Sequence, residues 1–408
     1  MPRFPLLSSF HFCVCRLKWK TTNESHPSRR SKNNHLIISH AHQEGNLYLK
    51  TDPGNTHDQK RVLVQNRFKN ACGKPATRIV FIKTHKTASS TVASIFQRFG
   101  YLRNLLMALP NNKISGHSFP DAMKFPRKAL MSIPKGIPRT HFDIITDHVR
   151  YDRQGLEGLI PNAKYVTILR DPVTQLESAF GYFEMAKGMG IVNHSNPFRT
   201  FMEDPDYFYR TQNYNMKNRS RNGLLYDLGF EPEYFEDSSA VREMIDRIDR
   251  EFHIVLLMEY LDESLILMKN ILCWDFKDII YVSKGIRSKT HRYPVSQELQ
   301  DQIRIWNQAD VLLYEHFNRT FWKNVRHYDG DFDADLRKFR TLNRQVMNRC
   351  IDNETINTGD RRENKYVIDY RRQGGNMMCR DLLRRSEEYT RLFQRIRRLG
   401  NRMGVKAA

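Results

Sequence analysis

No stretch of this chain stays apolar over the roughly 20 residues that a bilayer-spanning helix requires. The nearest is residues 4–14, which include His11 and are followed by Arg16, Lys18 and Lys20. That pattern reads as a weak signal segment or the remnant of a truncated anchor. Cysteine is scarce, with six in 408 residues and no CxxC pair, so a structural zinc site is not expected. Cys350 and Cys379 both lie in the polar C-terminal region and could pair in an oxidising compartment. Glycine is missing where phosphate loops usually need it. The one strand-to-helix corner rich in Lys, Ser and Thr lacks both glycines of GxxxxGK[ST], which argues against a nucleoside triphosphatase or kinase. Internal repeats are absent, as are RNP-like, zinc-finger and helix-turn-helix signatures, so a basic nucleic-acid-binding protein is the weaker reading.

Acidic residues are in deficit. Against 66 Lys and Arg stand 45 Asp and Glu, a net charge of +21. Such a surface attracts polyanions, whether nucleic acid, anionic lipid, phosphate or sulfate. The apolar share of 40% is enough for a real core. Five Asn-x-Ser/Thr sequons, at Asn23, Asn193, Asn218, Asn318 and Asn353, lean weakly toward the secretory pathway.

Along the chain, residues 1–75 form an N-terminal segment and a polar, flexible stem. From residue 77 the texture changes to strands alternating with helices. Residues 77–82, 141–146, 164–169 and 252–258 read as buried strands. Residues 89–104, 172–186, 262–272 and 297–325 read as helices, with Pro172 suited to a first turn and Asp262 to a cap. This alternation predicts an α/β fold with a doubly wound parallel sheet and helical additions. Residues 331–408 make a basic extension. Its last part, residues 361–408, holds 14 basic and 5 acidic residues and reads as a solvated helix or a disordered tail. Trp274 and Trp322 read as core residues.

Two corners carry candidate chemistry. Residues 83–91 (Lys-Thr-His-Lys-Thr-Ala-Ser-Ser-Thr) follow the first strand and open the first helix. A helix start presents unpaired N–H groups and favours an anion. Lys83 and Lys86 add charge, and Ser89, Ser90 and Thr91 add hydroxyls. The second corner, residues 167–180, puts Arg170 at a strand end and Ser178 about two helical turns on, a second place for a phosphate. Two such corners at neighbouring strand ends predict a ligand with two phosphate-like groups lying across the sheet edge.

Together the two corners resemble the 5′-phosphosulfate loop and 3′-phosphate site of sulfotransferases. The string at 83–91 is similar to that of the galactose-3-O-sulfotransferase family. So are residues 221–229 (Arg-Asn-Gly-Leu-Leu-Tyr-Asp-Leu-Gly), 256–260 (Leu-Leu-Met-Glu-Tyr), 272–275 (Leu-Cys-Trp-Asp) and 313–318 (Leu-Tyr-Glu-His-Phe-Asn). The likeness covers roughly residues 77–330.

The resemblance implies a P-loop-like sulfotransferase fold in residues 76–330. It implies 3′-phosphoadenosine 5′-phosphosulfate (PAPS) as co-substrate, no metal, and a galactose-terminated glycolipid or glycan as acceptor. Lys86 is then expected at the sulfo-phosphate bridge, with Thr87, Ala88, Ser89, Ser90 and Thr91 lining the cradle. Arg170 and Ser178 are expected at the 3′-phosphate, Arg287 on a loop over the nucleotide, and Lys83 against cofactor or acceptor. The base is expected to be His85, because histidine titrates near neutrality; His141, His148 and Glu177 compete. Acceptor-reading residues are expected near 212–218. A Golgi membrane address with a lumenal catalytic domain follows, and nucleic acid is not an expected partner. A glycosaminoglycan O-sulfotransferase is the near alternative, and the basic tail would suit its polyanionic acceptor.

Overall fold

Five parallel strands form the central sheet of the structure, a computed structural model that describes residues 72–111, 127–133, 139–288, 292–356 and 368–403. They are β1 (Ile79–Ile82), β2 (Met107–Ala108), β3 (Ile144–Ile145), β4 (Lys164–Leu169) and β5 (Ile254–Leu257), in the order β2-β3-β1-β4-β5. Ile79 pairs with Ile144 on one side and Lys164 on the other. The runs Ile-Val-Phe-Ile and Ile-Val-Leu-Leu of β1 and β5 are buried at every position. Parallel strands covered on both faces need such continuous apolar runs. The sheet matches the expected α/β architecture, and β4 has its expected bounds. β3 keeps only two of six expected residues, and β2 is too short to leave a periodic signal.

Helix α1 (Ser89–Leu102) follows β1, and α2 (Pro172–Tyr182) follows β4. Asp171 caps α2, accepting from the N–H groups of Val173 (3.1 Å) and Thr174 (3.2 Å), with Pro172 at the first position. The helix was expected to reach 186 but stops at Tyr182, because Glu184 takes a left-handed conformation and starts a separate short turn, Met185–Gly188. Next come α3 (Gly223–Asp227), α4 (Leu261–Leu272), α5 (Gln297–Trp306), α6 (Gln308–Arg326) and α7 (Phe332–Cys350). Asp262 is not the cap of α4. It lies in the first turn and takes hydrogen bonds from the Tyr281 hydroxyl (2.8 Å) and Arg340 Nε (2.9 Å). The single helix expected over 297–325 is two. The break falls at Asn307, whose Oδ1 accepts from the Asn222 N–H at 2.7 Å.

The C-terminal region adds the antiparallel hairpin β6 (Ile351–Ile356) and β7 (Ile368–Arg372), then α8 (Met377–Leu383) and α9 (Ser386–Met403). A disulfide joins Cys350 to Cys379. The expectation of a solvated tail fails for α8 and α9. Tyr389, Phe393 and four polar residues of α9, Ser386, Thr390, Gln394 and Arg397, are buried. Gln97 Nε2 donates to Thr390 Oγ1 (3.2 Å), Gln394 Nε2 donates to the Pro110 carbonyl (2.9 Å), and Arg397 donates to the Met107 carbonyl. An arginine-rich helix looks solvated in sequence because its buried polar groups find partners only in distant segments.

Trp274 stacks on Phe99 at 3.7 Å and donates from Nε1 to the Ala76 carbonyl, so it is core, as expected. Trp322 packs edge-on to Tyr260. Of the sequons, Asn193 and Asn353 are exposed, Asn318 is half-buried and Asn218 is buried; Asn23 lies outside the described residues. So do residues 4–14 and the part of the expected stem before residue 72. No helix among the described residues is long and apolar enough to cross a membrane.

Candidate active site

The connection leaving β1 runs toward β2, and the one leaving β4 runs the other way, toward β5. Between adjacent strands whose connections part like this, the carboxyl ends open a crevice. Both candidate corners border it.

The first corner turns from β1 into α1 without glycine. Lys86 (φ 64°) and Ala88 (φ 62°) are both left-handed, a conformation that costs an L-residue on the order of 1 kcal/mol. Buried hydroxyls hold it. Thr84 Oγ1 donates to the Ile168 carbonyl of β4 and lies 2.8 Å from Thr87 Oγ1. The Thr84 carbonyl accepts from Thr87 Oγ1 (3.2 Å) and Ser89 Oγ (2.6 Å), and Thr91 Oγ1 accepts from the Lys284 N–H (2.7 Å). The side chains of Thr87, Ser89 and Thr91 thus shape the loop, and the Thr91 N–H donates to the Ala88 carbonyl (2.9 Å), which leaves the main-chain N–H groups of Thr87 and Ser89 to face the cradle. Ser90 and Ala88 are half-buried.

Cations converge on this loop. Arg170 Nη1 donates to the Lys86 carbonyl (3.1 Å), and its Nε donates to Thr174 Oγ1 (2.9 Å). Half-buried Ser178 lies one turn beyond Thr174 on the same stripe of α2. The Lys86 ammonium sits 3.4 Å over the Tyr182 ring. Burial, then repulsion from Arg287, Arg170 and Lys83, pushes its pKa down to about 7. Arg287, expected on a covering loop, is half-buried. It pairs with Glu177, whose Oε1 also accepts from the Tyr293 N–H (2.8 Å). Gly181 leaves room for that guanidinium, since a Cβ there would lie 1.7 Å from Arg287 Nη1. Both Nε and Nη1 of Arg287 are buried without a hydrogen-bond acceptor, so the site has donors in hand for an anion. Lys83 is buried too, its Nζ 3.9 Å from Glu387 of α9.

His85 lies between these cations and α3. Its N–H donates to Asp227 Oδ2 (2.7 Å), and its Nδ1 is 2.9 Å from both carboxylate oxygens. With Nδ1–H given to Asp227, Nε2 is left as the proton acceptor. The ring stacks on His148 at 4.1 Å, and His148 Nδ1 is engaged by the Lys83 carbonyl (2.9 Å). Burial, with His85, Lys83 and Arg219 adding to it, holds the His148 pKa well below its usual value, so it is neutral. The competing bases fare worse. His141 precedes β3 and is exposed at the opposite, amino edge of the sheet, beside Thr140. Glu177 is occupied by Arg287 and Tyr293.

Sequence reading missed Asp227 and what holds it. Asp310, at the start of α6, accepts from the N–H groups of Leu224 (3.0 Å) and Leu225 (2.9 Å) at the head of α3. Asn222, left-handed, accepts from the Asp310 N–H at 3.1 Å. At the tail of α3, Gly229 (φ 89°) passes so close to the Tyr151 carbonyl that a Cβ would lie 2.3 Å from it. Residues 142 positions apart meet here, and no local pattern marks the pair. The expected acceptor-reading stretch forms a helix, Tyr214–Ser220, capped by Asn213; Asn218 is buried in it.

Known proteins share this framework. The family profile described as galactose-3-O-sulfotransferase matches residues 47–384. Galactosylceramide sulfotransferases from Bos taurus and Homo sapiens are each 36% identical over 282 residues, covering 68% of this chain and 65% of theirs. Galactose-3-O-sulfotransferase 2 from Sus scrofa is 31% identical over 303 residues, 73% of this chain and 75% of its own. The matched span contains both strand-end corners, the histidine pair and Asp227, and on it the chain belongs to the galactose-3-O-sulfotransferase family.

Proposed function

We propose that this protein transfers a sulfuryl group from PAPS to the 3-hydroxyl of galactose in a glycolipid or glycoprotein glycan. One observation carries the reading: Lys86, Arg170 and Arg287 gather at the mouth of the β1 and β4 corners, with an oriented His85–Asp227 pair beside them. A cluster of half-buried cations, with Arg287 Nε and Nη1 lacking acceptors, fits a nucleotide bearing charge at both its 5′ and 3′ ends. Lys86 and the N–H groups at the head of α1 would hold the sulfo-phosphate, and Arg170 with Ser178 the 3′-phosphate. Arg287 supplies charge from above, and Lys83 borders the acceptor.

His85 Nε2 takes the proton of the galactose 3-hydroxyl, and Asp227 holds the ring in the accepting tautomer and steadies the imidazolium. As the oxygen bonds to sulfur, the bond from sulfur to the bridging phosphate oxygen breaks. Lys86 stabilises the negative charge that collects on the leaving phosphate. The products are the galactose 3-sulfate ester and adenosine 3′,5′-bisphosphate. The names of the relatives support galactose as the acceptor sugar over a glycosaminoglycan. The setting is the Golgi lumen, next to the membrane.

Calorimetric titration of the folded chain with adenosine 3′,5′-bisphosphate is expected to show one site. Sulfation assays with PAPS on galactosylceramide, N-acetyllactosamine and heparan, with linkage analysis of the product, are expected to give a galactose 3-sulfate. No nucleotide uptake, or sulfation of heparan alone, refutes the assignment.

A further inference from the structure

The final helix has a buried side and an outward side of different character. Tyr389, Thr390, Phe393, Gln394 and Arg397 point into the molecule. On the other side Arg391, Arg395 and Arg398, spaced by four and three residues, form an exposed stripe. Beside it Ile396 and Leu399 are 49% and 47% exposed. Arg391 and Arg395 meet no carboxylate among the described residues, and Arg398 donates only to the Gln394 carbonyl one turn back. The chain has no acidic residue after Glu388. Of the nine large hydrophobic side chains exposed among the described residues, four are Met377, Met378, Ile396 and Leu399 of the last two helices.

An exposed arginine stripe flanked by aliphatic side chains is the composition of a helix that lies in a membrane interface. We propose that the outward face of α9 docks on a bilayer surface rich in anionic phospholipid. The arginines would meet lipid phosphates as forked donors, while Ile396 and Leu399 enter the headgroup boundary. The fold makes this face consequential. Glu387, at the start of the same helix, reaches Lys83 in the cradle. The Cys350–Cys379 disulfide and the bond from Thr390 to Asp147 (3.0 Å) fasten the helix to the domain. A docked α9 therefore holds the β1 corner near the surface. The benefit for a lipid-borne acceptor rests on the function proposed above; the docking itself does not.

Vesicle flotation of the full chain tests this without catalysis. Binding to phosphatidylcholine vesicles containing about a quarter phosphatidylserine is expected, with little binding to pure phosphatidylcholine, and it should weaken from 0.1 to 0.5 M salt. Each interfacial arginine contributes about fivefold to partitioning, so Arg391→Gln, Arg395→Gln and Arg398→Gln together should lower it on the order of 100-fold. Replacing Ile396 and Leu399 by Asn should lower it as well. A charge-matched control, Arg210→Gln, Arg242→Gln and Arg319→Gln, removes three exposed arginines elsewhere and should bind nearly as wild type. Both α9 variants should sulfate a soluble galactoside at the wild-type rate. The proposal is overturned if the triple α9 variant floats as well as wild type, if the control loses as much, or if the α9 stripe binds heparin but no vesicle. Flotation that survives without any sulfation of the soluble galactoside would sink the proposed reaction and leave the docking surface standing.

Discussion

Protonation of Lys86 should be coupled to nucleotide binding, and the structure sets the direction and the window. Burial, with Arg287, Arg170 and Lys83 adding repulsion, brings the ammonium to about pKa 7 in the ligand-free site. A bound phosphosulfate or bisphosphate reverses that repulsion, so the complex keeps the proton to higher pH than the free protein. The bound state then holds more protons above pH 7, and affinity must fall as pH rises, by up to tenfold per unit. Between pH 7.5 and 9 this amounts to about 30-fold. The ligand's phosphates, with second pKa near 6, are already ionised there. Titrations of adenosine 3′,5′-bisphosphate in buffers of different ionisation enthalpy should show uptake approaching one proton per nucleotide. Lys86→Arg stays charged throughout, and its affinity should be flat over the same range. Flat affinity in the wild type, or a slope that survives in Lys86→Arg, would refute the reasoning. The same shift carries a stability consequence of defined sign. The unfolded chain binds the Lys86 proton up to about pH 10.5 and the folded chain only to about 7, so this group adds stability as pH rises through that interval.

Asp227→Asn should lower kcat by roughly 100- to 10,000-fold while leaving nucleotide affinity within a few-fold, because it removes the partner of His85 Nδ1 and no contact to the cations; His85→Ala should behave alike, and additive losses in the double variant would separate the two residues. Asp147 is buried with its pKa raised to about 7, chiefly by burial. Its contribution is present at acid pH and lost as pH rises from about 4 to 7, so Asp147→Asn should raise Tm more at pH 8 than at pH 5; calorimetry at both values decides. Cys379→Ser opens a disulfide spanning 29 residues, which should cost about 3 to 4 kcal/mol, read as a lower urea midpoint that reductant reproduces in the wild type but not in the variant.

The central strands and the first-corner loop were legible in the amino-acid order because their determinants are local. Runs such as Lys-Tyr-Val-Thr-Ile-Leu at 164–169 can be covered on both faces only inside a sheet. The cluster of Lys, Ser and Thr at 83–91 gathers charge and donors at a helix start, the kind of place that favours an anion. What the order of residues by itself determined was therefore the longer strands β1, β4 and β5, the two strand-end corners and the histidine among the lysines. Tertiary structure alone decided the rest. It assigned the hydroxyls of Thr87, Ser89 and Thr91 to the loop and sent His141 to the far edge of the sheet. It brought Arg287 across Gly181, split the helix at Asn307, buried one side of an arginine-rich tail, and set Asp227 against His85. The placing of Arg287, Asn307, the tail and Asp227 each turns on a hydrogen bond or close approach between segments far apart in the chain, and such contacts leave no period, cap or spacing in the residues that make them.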